Sequence, residues 1–164
     1  MNSAISLILN NVYCKGCPIF EGRECASRID ARNRALELNR QYVPTTIKVI
    51  FVAESPPRAF IQDQRAYFYA SGPERRSSIA YYINQVLFRA KSREEFFEKF
   101  REKFRERGFY LTDMAKCPIG GLPREKRVQA VKRCAKYLDE EFHTLKFEKA
   151  VFIGKTLSKS LKTT

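Results

Sequence analysis

The sequence predicts an α/β fold of three layers, α/β/α, with a short, mostly parallel central sheet. Three observations carry that prediction. The run Ile47–Pro57, IKVIFVAESPP, places Val and Ile at consecutive rather than alternating positions, the pattern of a strand covered on both faces. Two further apolar runs, Phe109–Asp113 (FYLTD) and Ala150–Ile153 within KAVFIGK, also read as strands. Segments with helical spacing stand between them, and strands alternating with helices build a mostly parallel sheet with helices on its faces.

Taken in order, residues 1–13 form a short apolar segment of undecided type ending at Cys14-Lys15-Gly16-Cys17-Pro18, a CxxC in a turn. From Glu24 to Tyr42, the apolar residues Ile29, Ala35, Leu36 and Leu38 lie among many charges, which predicts a weakly amphipathic helix. Pro44 and two threonines lead into the central strand, which stops at Glu54. The Ser55-Pro56-Pro57 that follows is stiff, because proline fixes its own φ and holds the preceding residue extended. A stiff turn keeps a carboxylate in one place, and ligands of open α/β sheets bind at the carboxyl ends of strands.

Arg58 to Ser77 shows no period and is predicted to be a long loop, a kind of segment that usually has a function. Ser78 to Ala90 is predicted to be a helix packing on the sheet through Ile79, Tyr82, Ile83, Val86 and Leu87. Ser92 with Glu95 forms a capping box that opens a further helix, buried through Phe96, Phe97, Phe100 and Phe104 and stopped by Gly108. Met114 to Leu122 is a loop, Arg124 to Leu145 a helix, and Gly154-Lys155-Thr156 the start of a last short helix. That GKT is not a P-loop, since Lys149 stands where the motif needs its first glycine. The sequence holds no internal repeat and no low-complexity segment.

The 164 residues fit one domain, 1–164, and 44% hydrophobic residues with 13 Phe and 8 Tyr can fill its core. Thirty-one Lys and Arg against 18 Asp and Glu give a net charge of +13, which makes nucleic acid the leading partner. A thermophile's charge-rich surface is the plainer alternative, although such surfaces mix both signs; an anionic membrane surface is another. Arg58, Arg75, Arg76, Lys116 and Lys155 lie near the predicted loops and are candidates for phosphate contacts. No apolar run approaches a membrane span, and Ser3–Leu9 is short and lacks a basic flank, so a cytoplasmic monomer is expected.

Five cysteines in such a chain point away from disulfides and towards metal or catalysis. Cys14 and Cys17 form one pair, and Cys117 and Cys134 flank a loop and the first turns of a helix. Four thiolates suit zinc or an iron–sulfur cluster, and spacing does not choose between them. The alternative is a set of buried, inert thiols. Cys25 is the odd one out, expected in the core or on the surface.

These residues together resemble the uracil-DNA glycosylase superfamily, most closely its iron–sulfur branch, found largely in thermophiles. The resemblance covers most of the chain. Val52-Ala53-Glu54-Ser55-Pro56 resembles the branch's first motif, a strand followed by Gly-Glu-Ala-Pro-Gly. Leu111-Thr112-Asp113-Met114-Ala115-Lys116-Cys117-Pro118 is similar to its Thr-Asn-Val-Val-Lys-Cys-Arg-Pro stretch, and Cys134-Ala135-Lys136-Tyr137-Leu138 to its Cys-x-x-Tyr-Leu. Ala150 to Gly154 resembles the last strand. The resemblance implies a [4Fe–4S] cluster on Cys14, Cys17, Cys117 and Cys134, with zinc as the fallback. It also implies a base-stacking role for Phe68, base contacts for Asp113 and Ser55, and a damaged base in DNA as substrate.

Three departures stand in the sequence. Asp113 occupies the position of the branch's base-reading Asn, and Pro57 that of the motif's closing Gly. No His-Pro-Ser type loop occurs before Thr164; the single histidine, His143, lies upstream of the third strand and reads as a helix surface residue.

Excision of a base through an oxocarbenium-like deoxyribose requires a fixed carboxylate near C1′, the part assigned to Glu54. It also requires an extruded nucleotide, an aromatic to receive it and a polar side chain to read its edge, the parts assigned to Phe68 and Asp113. The other reading of the same chain is a catalytically silent iron–sulfur protein that grips DNA through its basic face.

Overall fold

The structure, a computed structural model, describes residues 19–20, 22–71, 79–89 and 93–154, with the side chains of residues 22–23 and 93–99 left aside. The predicted segment 1–13, Cys14, Cys17, Arg75, Arg76, the Ser92 cap, Lys155 and the last short helix lie outside the described residues. So do the side chains of Phe96 and Phe97.

Strand β1 spans Val49–Ala53, and Ile50 to Ala53 are all buried, as a non-alternating apolar run requires. Strands β2 (Phe109–Asp113) and β3 (Lys149–Phe152) pair with it in parallel, one on each side, so the sheet order is β2-β1-β3. The register sets Val49 opposite Phe109 and Lys149, and Ala53 opposite Asp113. Parallel pairing in register brings the carboxyl ends of all three strands to one edge.

Among the described residues four α-helices flank the sheet: α1 (Gly22–Tyr42), α2 (Ile79–Phe88), α3 (Arg93–Glu106) and α4 (Arg124–Thr144). Ile50, Val52 and Tyr110 face Ala130, Val131, Tyr137 and Leu138 of α4. On the other face, Phe51 and Leu111 meet Ala80 of α2, Phe100 and Phe104 of α3 and the loop aromatics Phe60, Phe68 and Tyr69. Helix α1 contributes to both clusters, Leu36 to the first and Ala31 and Ala35 to the second. The outcome is the predicted α/β arrangement, with helices on both faces of a small parallel sheet.

Gly108 ends α3 at φ +71 and is fixed by space as well as conformation, since a Cβ there would stand 2.8 Å from the Thr46 carbonyl oxygen. Its own carbonyl accepts from the Lys48 and Val49 amides, which ties the end of α3 to the start of β1.

Two expectations change. Arg58–Ser71 is not an open loop: it winds through three short 3₁₀ turns, Arg58–Ile61, Gln64–Ala66 and Phe68–Ala70, and buries Phe60, Ala66, Tyr67, Phe68 and Tyr69. The Tyr69 phenol accepts from the Leu111 amide at 2.7 Å, covering the outer edge of β2. In α2 the packed face holds Ala80 and Asn84, while Tyr82, Val86 and Leu87 are exposed at 60%, 76% and 40%. Apolar residues run most of the way round this helix, so periodicity could not choose the face that meets α3 and the loop.

Candidate active site

The site forms where β1 and β2 end. Beyond the last paired residues the two chains stay bonded: the Met114 amide donates to the Ala53 carbonyl at 2.8 Å and the Ala115 amide to the Glu54 carbonyl at 2.9 Å. The Ser55 hydroxyl donates to the Pro56 carbonyl and accepts from the Ile119 amide at 3.4 Å, which pins the stiff turn to the loop after β2. Arg58 lies over that loop from the other side, its guanidinium Nη1 within 2.6 Å of where a Cβ on Gly121 would be. Gly121 has φ +85, the left-handed backbone that a side chain would strain and glycine adopts freely.

Glu54 is half-buried, and its carboxylate is held by Arg127 in the first turns of α4, with Nη2 at 2.6 and 2.5 Å from the two oxygens. Side chains alternate across a strand, so Asp113, opposite Ala53, points to the α3 side while Glu54, one residue further along, turns to the α4 side. The two carboxylates therefore end one strand apart with different partners.

Asp113 is 4% exposed, with Oδ2 3.0 Å from the Tyr67 phenol; the same phenol lies 2.8 Å from Asn39 Oδ1 on α1. Burial pushes the Asp113 carboxyl up to about 7, with Glu141 adding to the rise and the Lys116 ammonium acting downward against it. Burial likewise raises the phenols of Tyr67 and Tyr110.

Lys116, expected at a phosphate, is 3% exposed and points inward. Its ammonium donates to Glu141 at 2.8 Å and to Thr112 at 2.9 Å, and Thr112 in turn donates to Glu141. A buried ammonium paired to a buried carboxylate cannot reach a backbone phosphate, so Lys116 leaves the phosphate set. Arg58 remains exposed. Phe68, expected to receive a base, is 5% exposed and seated among Tyr69, Phe100 and Phe104 with ring centroids 4.8 to 5.3 Å apart. It is a core aromatic here rather than an open stacking platform.

Cys117 is buried and Cys134 half-buried, both against the cluster that also holds Ile19 and Phe20, where the described chain resumes after the CxxC. Cys25 packs against that same cluster, so packing alone does not set it apart. Among the described residues no three potential ligands converge, and Cys14 and Cys17 lie outside those residues. Arg28, 2% exposed on α1, donates to the Pro118 carbonyl next to Cys117 while Glu24 holds its other nitrogens, and its guanidinium stacks 4.6 Å from the Phe20 ring centroid. Arg28 thereby anchors the cysteine-bearing loop.

Sequence reasoning did not single out Arg127, Tyr67, Asn39 or Arg28. Arg127 had a signal, a cation one turn into the helix that follows the loop, and Arg28 had one in its i,i+4 spacing from Glu24; Tyr67 and Asn39 had none, because each gains its partner from a distant part of the chain.

The model of the uracil DNA glycosylase superfamily matches residues 40–164, more than half of the chain and all of β1, β2, β3 and α4. The chain belongs to this superfamily, whose members are typically DNA glycosylases acting on DNA. No curated protein and no solved structure matches it at a significant level.

Proposed function

We propose that the chain is a monomeric DNA N-glycosylase that removes a deaminated base, with Glu54 as the carboxylate that acts at C1′. The observation that carries this reading is a carboxylate fixed at the carboxyl end of the central strand by its own backbone, by a stiff Pro-Pro turn and by Arg127, in a chain of the glycosylase superfamily. In this reaction the N-glycosidic bond breaks, its electron pair leaves with the base, a water oxygen bonds to C1′, and the proton that water gives up ends on the departed base. A carboxylate offers about four acceptor sites, so Glu54 can orient the water and oppose the positive charge on the sugar while Arg127 occupies the others. Asp113, at the end of the neighbouring strand, reads the base.

A [4Fe–4S] cluster on Cys14, Cys17, Cys117 and Cys134 belongs to the same proposal. The buried Cys117 and half-buried Cys134 on one apolar cluster fit thiolate ligation, and the cluster would tie the chain's beginning to α4.

The test is a panel of duplex and single-stranded oligonucleotides carrying uracil, hypoxanthine, xanthine or a thymine mismatch, incubated with protein and then cleaved with alkali. Strand cleavage at one of these bases is expected. Glu54→Ala should slow it by orders of magnitude while DNA affinity stays nearly the same, since a group acting on the transition state alters turnover rather than binding. The second reading, a silent DNA-binding relative, is favoured by the ion pair that Arg127 makes with Glu54 and by the burial of Phe68. No cleavage at any base, with intact DNA binding, would establish it.

A further inference from the structure

Asn39, Tyr67 and Asp113 are 2%, 1% and 4% exposed, and each comes from a different part of the fold: α1, the loop after β1 and the end of β2. The Tyr67 phenol reaches Asn39 Oδ1 at 2.8 Å and Asp113 Oδ2 at 3.0 Å. A phenol carries one proton, so it donates to only one of these oxygens. With an ionised Asp113, the other contact would set lone pair against lone pair in a dry site, an arrangement folded proteins avoid.

Asn39 decides which contact takes the proton. The atom it sets 2.8 Å from the phenol is Oδ1, an amide oxygen that can only accept, whereas a carboxyl oxygen can carry a proton of its own. Tyr67 then donates to Asn39, and its oxygen accepts from Asp113. That sequence of bonds requires the proton to sit on Asp113 Oδ2.

We infer that Asn39 is a positioning residue of the base site: acting through Tyr67 it keeps Asp113 protonated on Oδ2, so that Asp113 meets the base as a neutral acceptor. This inference rests on the base-reading role proposed above for Asp113. A neutral acceptor suits a ring N–H, and it does not oppose the negative charge that grows on a base leaving with the bonding electron pair. An ionised Asp113 would oppose that charge at close range in a medium of low dielectric.

The titratable and charged groups that act on Asp113 are the Tyr67 and Tyr69 phenols of the loop, the Lys116 ammonium beyond β2 and the Glu141 carboxylate of α4. Lys116 is already paired to Glu141, so its charge is largely engaged there. Burial then sets the balance, and the carboxyl titrates near 7 rather than in the usual carboxylate range.

The experiment is infrared difference spectroscopy of the full chain against Asp113→Asn, following the protonated-carboxyl band with pH, beside kcat and KM for whichever base the oligonucleotide panel identifies. In the unaltered protein the band and kcat should fall together as pH rises through about 7, with KM little changed. Asn39→Leu frees Tyr67 to donate to the carboxylate, and both midpoints should move to lower pH by about one unit or more, a tenfold shift in the equilibrium. Tyr67→Phe supplies a second variant, in which the midpoint should stay or fall. An unmoved midpoint in Asn39→Leu, or a rise in Tyr67→Phe, would show a phenol that donates to the carboxylate and would overturn the inference. A band that shifts as expected with no excision of any base would place the failure in the glycosylase reading, and the positioning role would fall with it.

Discussion

The buried carboxyl of Asp113 makes the stability of the whole chain depend on pH, and replacing it with Asn isolates the effect. Its ordinary value is 3.8 and burial raises it to about 7 in the folded state. A group whose folded value is raised binds its proton more tightly in the folded state, so its stabilising contribution is present in acid. That contribution fades as pH climbs from about 4 to about 7 and is absent above. The gap between the two values corresponds to about 4 kcal/mol, at about 1.4 kcal/mol per pH unit. Asp113→Asn keeps the shape and removes the titration. Urea denaturation of both proteins between about pH 4 and about pH 8 should therefore show the variant gaining on the parent by about 4 kcal/mol across that window. Every other titrating group is common to both proteins and cancels in the difference. Two stability curves that run parallel across the window would refute the argument, because they would mean that Asp113 ionises as freely in the folded chain as in the unfolded one. The same titration governs chemistry: weak uracil excision should improve in acid, and Asp113→Asn should raise uracil activity without a comparable gain in DNA affinity.

Protein purified without oxygen should be brown and hold about four irons per chain, with the colour lost on changing Cys14, Cys17, Cys117 or Cys134 to Ser. Cys25→Ser should keep full iron; colourless protein with stoichiometric zinc, or iron loss in that variant, would show a different ligand set. DNA binding should weaken steeply with salt, because a chain of net charge +13 binds by releasing counterions. Charge reversal at Arg75 and Arg76 should flatten the slope, and binding indifferent to salt would count against a DNA-facing basic surface. Lys116→Ala should act otherwise, destabilising the fold by about 3–5 kcal/mol through the unpaired Glu141 it leaves behind while the salt slope of the folded protein stays the same. A flattened slope with unaltered stability would return Lys116 to the DNA surface.

What the sequence determined by itself was the part encoded in short stretches. Consecutive β-formers at 49–53 and 109–113 made two strands, the non-alternating pattern made them buried on both faces, and Gly108 stopped α3. Pro56 and Pro57 marked the stiff turn that leaves Glu54 at the strand end. Local backbone preference and hydrophobic period suffice for such features, since they act over a few residues. The family was legible for the same reason, in motifs at those strand ends.

Only the tertiary structure decided what each polar side chain meets. Lys116 reads as a surface cation until Glu141, 25 residues away, takes it inward. Phe68 has a base-stacking role by resemblance to the family until the fold seats it against α3. Asn39 is an unremarked polar residue in a helix until the fold sets it beside Tyr67, 28 residues on, and Asp113 beyond. The face that α2 packs could not be read from its own period, because its apolar residues nearly encircle it. Burial and partnership are long-range properties: desolvation and hydrogen bonding depend on atoms that the sequence brings together only after folding, and these set the charge that Asp113 carries at the site.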